Sequence, residues 1–273
     1  MSLVYLQYYK LQEPPFNITP DPRFLFFSRQ HQEAFDHLLF GIRERKGFIQ
    51  LTGEVGTGKT TVCRRLLEEL GPEYKTALIL NPFLSASQLL RAIAHELGLQ
   101  ARRTDRLSLL HALNDYVLDE VNAGNDVVLL FDEAQNLSSE LLELIRLLSN
   151  LETHNQKLLQ ICLVGQPELR EKLADPSLRQ LRQRITIRYH LKPLSCGETA
   201  EYINRRIVLA GGNGAPLFED AAVERIYQYS GGIPRLINAV CDKALLAGFV
   251  KEQRLITGDL VKLAIDELQG ETA

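Results

Sequence analysis

Gly53-Glu-Val-Gly-Thr-Gly-Lys-Thr60 decides how this chain is read. The stretch fits G-x-x-x-x-G-K-[ST] at every position. Its glycines permit a tight turn whose backbone N–H groups point inward at phosphate oxygens. Lys59 supplies a cation for β- and γ-phosphates, and the Thr60 hydroxyl suits a magnesium ion. The flanks agree with that reading. Phe48-Ile-Gln-Leu-Thr52 has the apolar content of a short buried strand, and Val62, Leu66 and Leu70 recur at helical spacing after the loop. The positive end of that helix would face the phosphates. The expected cradle is Gly53, Glu54, Val55, Gly56, Thr57, Gly58, Lys59, Thr60 and Thr61.

Working outward, strand and helix patterns alternate. A helix is predicted from about Arg29 to Arg45, then strands at 48–52 and 76–80, the latter ending at Asn81-Pro82. Helices follow near 86–97 and 106–122, each stopped by a glycine. Val127-Val-Leu-Leu-Phe131 is a continuous apolar run, as a strand covered on both faces should be. A helix over 139–151, closing with Leu151, a strand at 159–164, a short helix and a strand at 185–190 complete the series. That alternation predicts an α/β fold with a five-stranded parallel sheet between helices. From Leu194 onward only helices are expected, near 196–210, 219–229, 234–249 and 257–268. The expected division is therefore 1–193, an α/β domain with an irregular N-terminal segment, and 194–273, an all-α domain.

The second half of a nucleotide site stands at the end of the third strand. Asp132 directly follows the apolar run and would hold magnesium, while Glu133 would orient and polarise an attacking water. A glutamate immediately after the aspartate favours hydrolysis over transfer to a small acceptor. Gln166 ends the next strand, where a polar side chain would lie between the acidic pair and the γ-phosphate. Arg179, Arg182 and Arg184 precede the last strand and could reach a neighbouring subunit's phosphate. Gly231-Gly-Ile-Pro-Arg235 opens a helix in the α-helical half, with Pro234 suited to its first turn and Arg235 able to lean over bound phosphate.

The totals exclude several classes. Net charge is −3, so no global basic field points to nucleic acid. No apolar run approaches the roughly 20 residues that span a bilayer, and no signal-peptide pattern opens the chain. Cys63, Cys162, Cys196 and Cys241 are far apart and form no C-x-x-C pair, which reads as reduced core cysteines of a cytosolic protein.

Together the phosphate loop, Asp132-Glu133, Gln166, Arg182 with Arg184, and Gly-Ile-Pro-Arg235 resemble the AAA+ class of P-loop ATPases. Tyr9-Lys-Leu-Gln-Glu-Pro-Pro-Phe16, the proline-rich run to Phe24, Ser28-Arg-Gln-His-Gln-Glu-Ala34 and Gly47-Phe-Ile are similar to the ATPase domain of the general secretion pathway protein A family, over nearly the whole chain. Relatives in that family serve pilus biogenesis and exosortase-linked export loci. The resemblance implies ATP and Mg2+ as ligands and an ATPase acting at a subunit interface of a homo-oligomer. It implies Glu133 as the water-activating residue, Arg235 as a cis sensor, Arg182 or Arg184 as the trans arginine, and Gln166 where asparagine is usual. The N-terminal segment implies Phe16, Phe24 or Phe26 beside the adenine, and the all-α domain becomes a lid.

Such a protein drives or regulates assembly of a secretion or pilus machine. It is cytoplasmic, at the cytoplasmic face of the inner membrane in the full-length protein, and works with an inner-membrane secretion partner. Peptidoglycan is reached only through a region absent from this chain. The alternative is a DNA-associated switch of the transposition- or origin-regulator type, for which Arg102-Arg-Thr-Asp-Arg106 and Arg205-Arg206 would touch phosphates. The near-neutral charge counts against it. A nucleotide-driven module without hydrolysis is a third reading, which Glu133 disfavours.

Overall fold

The computed structural model describes residues 5–17, 22–24, 26–80, 83–99, 105–150 and 157–270. Asn81-Pro82, Arg102, Arg103 and Leu151, named above, lie outside the described residues. The chain opens with α1 (Tyr5–Tyr9) and α2 (Arg29–Arg43), followed by β1 (Phe48–Gly53), α3 (Lys59–Glu69) and β2 (Tyr74–Ile79). Next come α4 (Ala86–Glu96), α5 (Arg106–Asn122), β3 (Asp126–Phe131), α6 (Ser139–Leu148) and β4 (Leu159–Gly165). The remainder is α7 (Glu168–Ala174), α8 (Arg179–Arg184), β5 (Ile185–Leu191), α9 (Cys196–Leu209), α10 (Asp220–Ser230), α11 (Pro234–Val250) and α12 (Gly258–Gln269). These elements divide into two compact units. One holds residues 31–54 and 58–191; the other holds 1–30, 55–57 and 192–273.

The first unit is an α/β layer built on one parallel sheet with strand order β2-β3-β4-β1-β5. Strands covered on both faces are near-continuous apolar runs, and β1 and β4 are buried at every residue, with Gln50, Thr52 and Gln160 as their buried polar exceptions. β2 and β5 lie at the edges and are only partly covered. The core is one cluster in which Leu129, Phe131, Leu144, Ile145, Ile161 and Leu163 are buried. Truncating one such leucine to alanine removes about 2–5 kcal/mol. Helix starts are fixed locally: Ser85 and Gln88 form a capping box on α4, and the Ser138 side chain accepts the N–H of Leu141 on α6.

The strand order places the site. β4 lies between β3 and β1, with Phe131 opposite Leu163 and Thr52 opposite Gly165. The carboxyl ends of these three strands therefore share one edge, where loops of open parallel sheets bind ligands. Gly53, Asp132 and Gln166 stand at or just past those ends.

The second unit is all-helical and has its own core, in which Ile203, Ile237, Val240, Leu245 and Ile256 are buried. Gly232 closes the turn before α11 with φ +78°, and a Cβ there would lie 1.9 Å from the Leu194 carbonyl oxygen. The N-terminal segment belongs to this core and not to the α/β unit, which corrects the expected grouping of residues 1–30 with the sheet. Tyr5, Tyr9, Phe16 and Phe24 are buried in it, and Tyr5 donates its hydroxyl to Asp242. The segment read as irregular also contains the helical turn α1.

Arg206 fastens that segment. Its guanidinium is buried and donates to Pro15 O (2.5 Å), Asn17 O (3.3 Å) and the Tyr202 hydroxyl (2.7 Å). It also lies over the Phe24 ring (5.0 Å) and the Tyr202 ring (5.4 Å). Among the described residues no carboxylate pairs with it. Arg206 is thus internal and unavailable to a nucleic-acid phosphate, against the expectation for that residue, while Arg205 beside it is exposed. Phe16 and Phe24 are core residues, and Phe26 packs edge-on against Tyr202. Three cysteines are buried free thiols; Cys196, at the start of α9, is exposed and corrects the reading of all four as core.

Candidate functional site

The loop after β1 takes the backbone form its glycines allow. Gly56 and Gly58 have φ of +81° and +100°, in the left-handed region that side chains disfavour. Gly58 also stands where α3 begins. It offers no side chain to cap the helix, and the first turn carries no acid. The helix N–H groups are thus left to an external acceptor, which is the electrostatic basis of phosphate binding at helix starts. Space is tight around both glycines. A Cβ on Gly58 would lie 2.8 Å from His31 Nε2, and one on Gly56 would lie 2.6 Å from Arg235 Cβ. Arg235 therefore lies close to Gly56, which belongs to the same unit.

Lys59 is buried, and its ammonium donates to Gly53 O (2.8 Å) and Glu54 O (2.9 Å). An ammonium has three donors, so one remains for a phosphate oxygen. Burial pushes the lysine below its ordinary value, while Glu133, Asp132 and Glu54 pull it back up. Burial likewise pushes the Cys63 thiol up, and the Asp132 charge adds to it; the Cys162 thiol is pushed up to about 12.

Thr60 donates its hydroxyl to Asp132 Oδ2 at 2.6 Å, and Asp132 Oδ1 accepts the Glu133 backbone N–H at 2.9 Å. The two residues expected to hold magnesium are thus in contact across 72 residues of sequence. Hard oxygen donors, one of them a carboxylate, fit a cation that is usually bound by one or two carboxylates plus phosphates. Among the described residues there is no cluster of three or more His, Cys, Asp or Glu that could cage a metal without a substrate.

Glu133 adopts φ +51°, ψ +37°, a left-handed conformation that is uncommon for a non-glycine residue. Such strain is of order 1–3 kcal/mol and persists where surroundings enforce it. Here the enforcement comes from a short 3-10 turn, Ala134–Asn136, and from two carboxamides. Gln135 Nε2 donates to Glu133 Oε2 at 2.5 Å, and Gln166 Nε2 donates to the same oxygen at 3.0 Å. Gln166 therefore stands where the sequence placed it, beside the acidic pair. Gln135 was missed. It lies two residues past Glu133 in Asp-Glu-Ala-Gln, but an alternating polar residue after a strand carries no signal of a left-handed turn.

The arginines before β5 divide. Arg184 donates to Ser149 Oγ (2.8 Å) and Arg146 O (3.4 Å), at the end of α6. Arg182 is exposed, and its nearest acceptor is Ala174 O at 3.5 Å. Neither touches Lys59, Thr60, Asp132 or Glu133 in this chain.

Residues 42–173 match the AAA domain family. The chain is 48% identical over 269 residues to General secretion pathway protein A of Aeromonas hydrophila, covering 98% of this chain and 49% of that protein. It thus spans about half the length of that curated relative. Among solved structures it is similar to the Aeropyrum pernix ORC2 protein in its ADPNP–ADP complexes, with TM-score 0.66, 18% identity, and coverage of 96% of this chain and 73% of that one. It is also similar to the Thermotoga maritima RuvB Holliday junction branch migration motor, with TM-score 0.58, 22% identity, and coverage of 88% and 69%. At these identities the structures speak for the shared fold alone.

Proposed function

We propose, for a chain that carries an AAA domain and is similar to General secretion pathway protein A along nearly its whole length, that it hydrolyses ATP at a subunit interface and uses the cycle to drive or regulate assembly of a bacterial secretion or pilus machine. The observation that carries the enzymatic part is the contact of Thr60 with Asp132, one residue from a carboxylate held by two amide donors. Gly53 to Thr61 take the phosphates, and Lys59 supplies its remaining N–H to their oxygens. Thr60 and Asp132 would hold Mg2+, which when bound draws charge from the β- and γ-oxygens. Glu133 accepts the proton of the attacking water. Gln166 fixes that carboxylate, and Arg235 reads the phosphate state from beside Gly56. An arginine from a neighbouring copy completes the charge balance, and Arg182, not tethered as Arg184 is, fits that role better.

The secretion assignment rests on the likeness to the Aeromonas protein and extends to an inner-membrane partner and to work at the cytoplasmic face of that membrane. Among the described residues no helix is long and apolar enough to cross a membrane. Of the arginines the DNA-associated alternative would use, Arg206 is internal, Arg106 and Arg205 are exposed, and Arg102 and Arg103 lie outside the described residues.

The test is steady-state ATP turnover by the purified chain and by Glu133→Gln. Loss of a positioned base typically removes a factor of about 10²–10⁴, so turnover should collapse while ATP affinity stays within a few-fold. Wild-type turnover in the glutamine variant would take Glu133 out of the chemistry.

A further inference from the structure

Gln135 belongs to no motif of the phosphate loop or the acidic pair, yet both ends of its carboxamide are engaged. Its Oε1 accepts the Gln166 backbone N–H at 3.0 Å, and its Nε2 donates to Glu133 Oε2 at 2.5 Å. The first bond fixes the second. An N–H needs an acceptor, so the oxygen must face Gln166, and the NH2 must then face the carboxylate. Gln166 Nε2 converges on the same Oε2 at 3.0 Å. Two amides therefore grip one oxygen of Glu133, and Oε1 carries neither bond.

Independent features keep Gln135 in place. A Cβ on Gly165 would lie 2.7 Å from Gln135 Oε1, so any side chain at 165 would displace the carboxamide. Lys172 of α7 donates to the backbone carbonyls of Gln135 and of Leu137, the latter at 2.8 Å. The turn that strains Glu133 is thus bolted to the end of β4 on one side and to α7 on the other.

We propose that Gln135 is a positioning residue for hydrolysis. It holds Glu133 by Oε2, which leaves Oε1 as the oxygen that takes the proton from water. As the water oxygen bonds to the γ-phosphorus, the bridging bond breaks, ADP leaves with the electron pair, and the water proton passes to Oε1. Gln135 also ties this carboxylate to the backbone N–H of Gln166, so that movement of the β4 end is felt at Glu133. The inference rests on the hydrolytic reading above.

The experiment measures kcat, KM and ATP affinity for the wild-type chain, Gln135→Ala, Gln135→Glu, Gly165→Ala and the Gln135→Ala/Gly165→Ala pair. One hydrogen bond to a charged group corresponds to roughly 10–100-fold, so Gln135→Ala should lower kcat by about tenfold with KM and affinity within twofold. Gln135→Glu keeps the size, removes the donor and adds a like charge, so its kcat should fall further. Gly165→Ala should reproduce the alanine loss and add nothing to it in the pair, as expected for residues that act through one contact. An unchanged kcat in Gln135→Glu, or losses that multiply in the pair, would overturn the assignment. A wild-type chain that binds ATP but never turns it over, with or without partner protein, would overturn the hydrolytic reading and this one with it. Normal wild-type turnover with an indifferent Gln135 would overturn this one alone.

Discussion

Two buried cations, one in each unit, show how the same residue class is used for opposite ends. Lys59 and Arg206 both give their hydrogen bonds to backbone carbonyls. Arg206 spends all three nitrogens on Pro15, Asn17 and Tyr202 and lies over aromatic rings. Its partners are fixed, and its work is to hold the N-terminal segment on the helical unit. Lys59 keeps one donor, has carboxylates at 54, 132 and 133 around it, and sits at an uncapped helix start. Its burial is a cost that no internal partner fully offsets. Arg206 is committed at every nitrogen and lies over two rings, and so it stabilises; Lys59, with an N–H unspent beside an uncapped helix start, is ready for a ligand.

The sharpest way to break this contrast is Lys59→Met. Turnover should fall by about 10³-fold or more, in the range of a lost charge clamp on a transferring phosphoryl group. Thermal stability should be no lower than wild type, because replacing a buried ion with an apolar chain is often neutral or stabilising. The pH sign follows. The folded-state value of Lys59 lies below its ordinary 10.5, so the fold disfavours the charged form. Wild-type stability relative to Lys59→Met should therefore improve as pH rises through the folded value toward 10.5 and be flat below it. A methionine variant that melts far below wild type at neutral pH would show that Lys59 is a structural cation after all.

A second comparison lies within α8. Arg182→Ala should lower turnover by about 10³-fold, at the lower end of arginine-finger effects. Mixing it with Glu133→Gln should restore activity, since each variant supplies what the other lacks. Arg184→Ala should instead lower stability by about 1–2 kcal/mol, through lost bonds to Ser149 and Arg146. Failure of the mixture to recover would remove Arg182 from a neighbour's site.

On the other side of the contrast, Arg206→Leu should lower unfolding stability by about 2–4 kcal/mol, because buried acceptors lose their donor. Chemical denaturation reads this directly. The smallest effect expected is that of Phe24→Leu, about 1 kcal/mol of stability from the lost cation–ring contact, with ATP affinity unchanged. A large drop in affinity would put Phe24 beside the base, where the N-terminal resemblance first placed it.

The sheet and most helices were legible because each carries a periodic or continuous apolar pattern with a stop signal. The phosphate loop was legible because glycine spacing and Lys59-Thr60 encode backbone shape and charge locally. Asp132-Glu133 was legible as acid after an apolar strand. The helical turn α1 was not, since five residues between aromatic core contacts have no period to read. Nor was the side to which residues 1–30 belong, which depends on Arg206, almost 200 positions away from its carbonyl partners. Gln135 escaped because its role follows from a left-handed backbone at Glu133 and from the missing side chain at Gly165. Both are tertiary facts.

The central claim is that ATP and magnesium are gripped together by the phosphate loop and the carboxylate beside Thr60. The direct measurement is equilibrium ATP binding, with and without Mg2+, by the wild-type chain and by Asp132→Asn. Affinity for ATP should strengthen with Mg2+ in the wild type and lose that dependence in Asp132→Asn. Equal Mg2+ dependence in both, or no ATP binding by the wild type, would contradict the account.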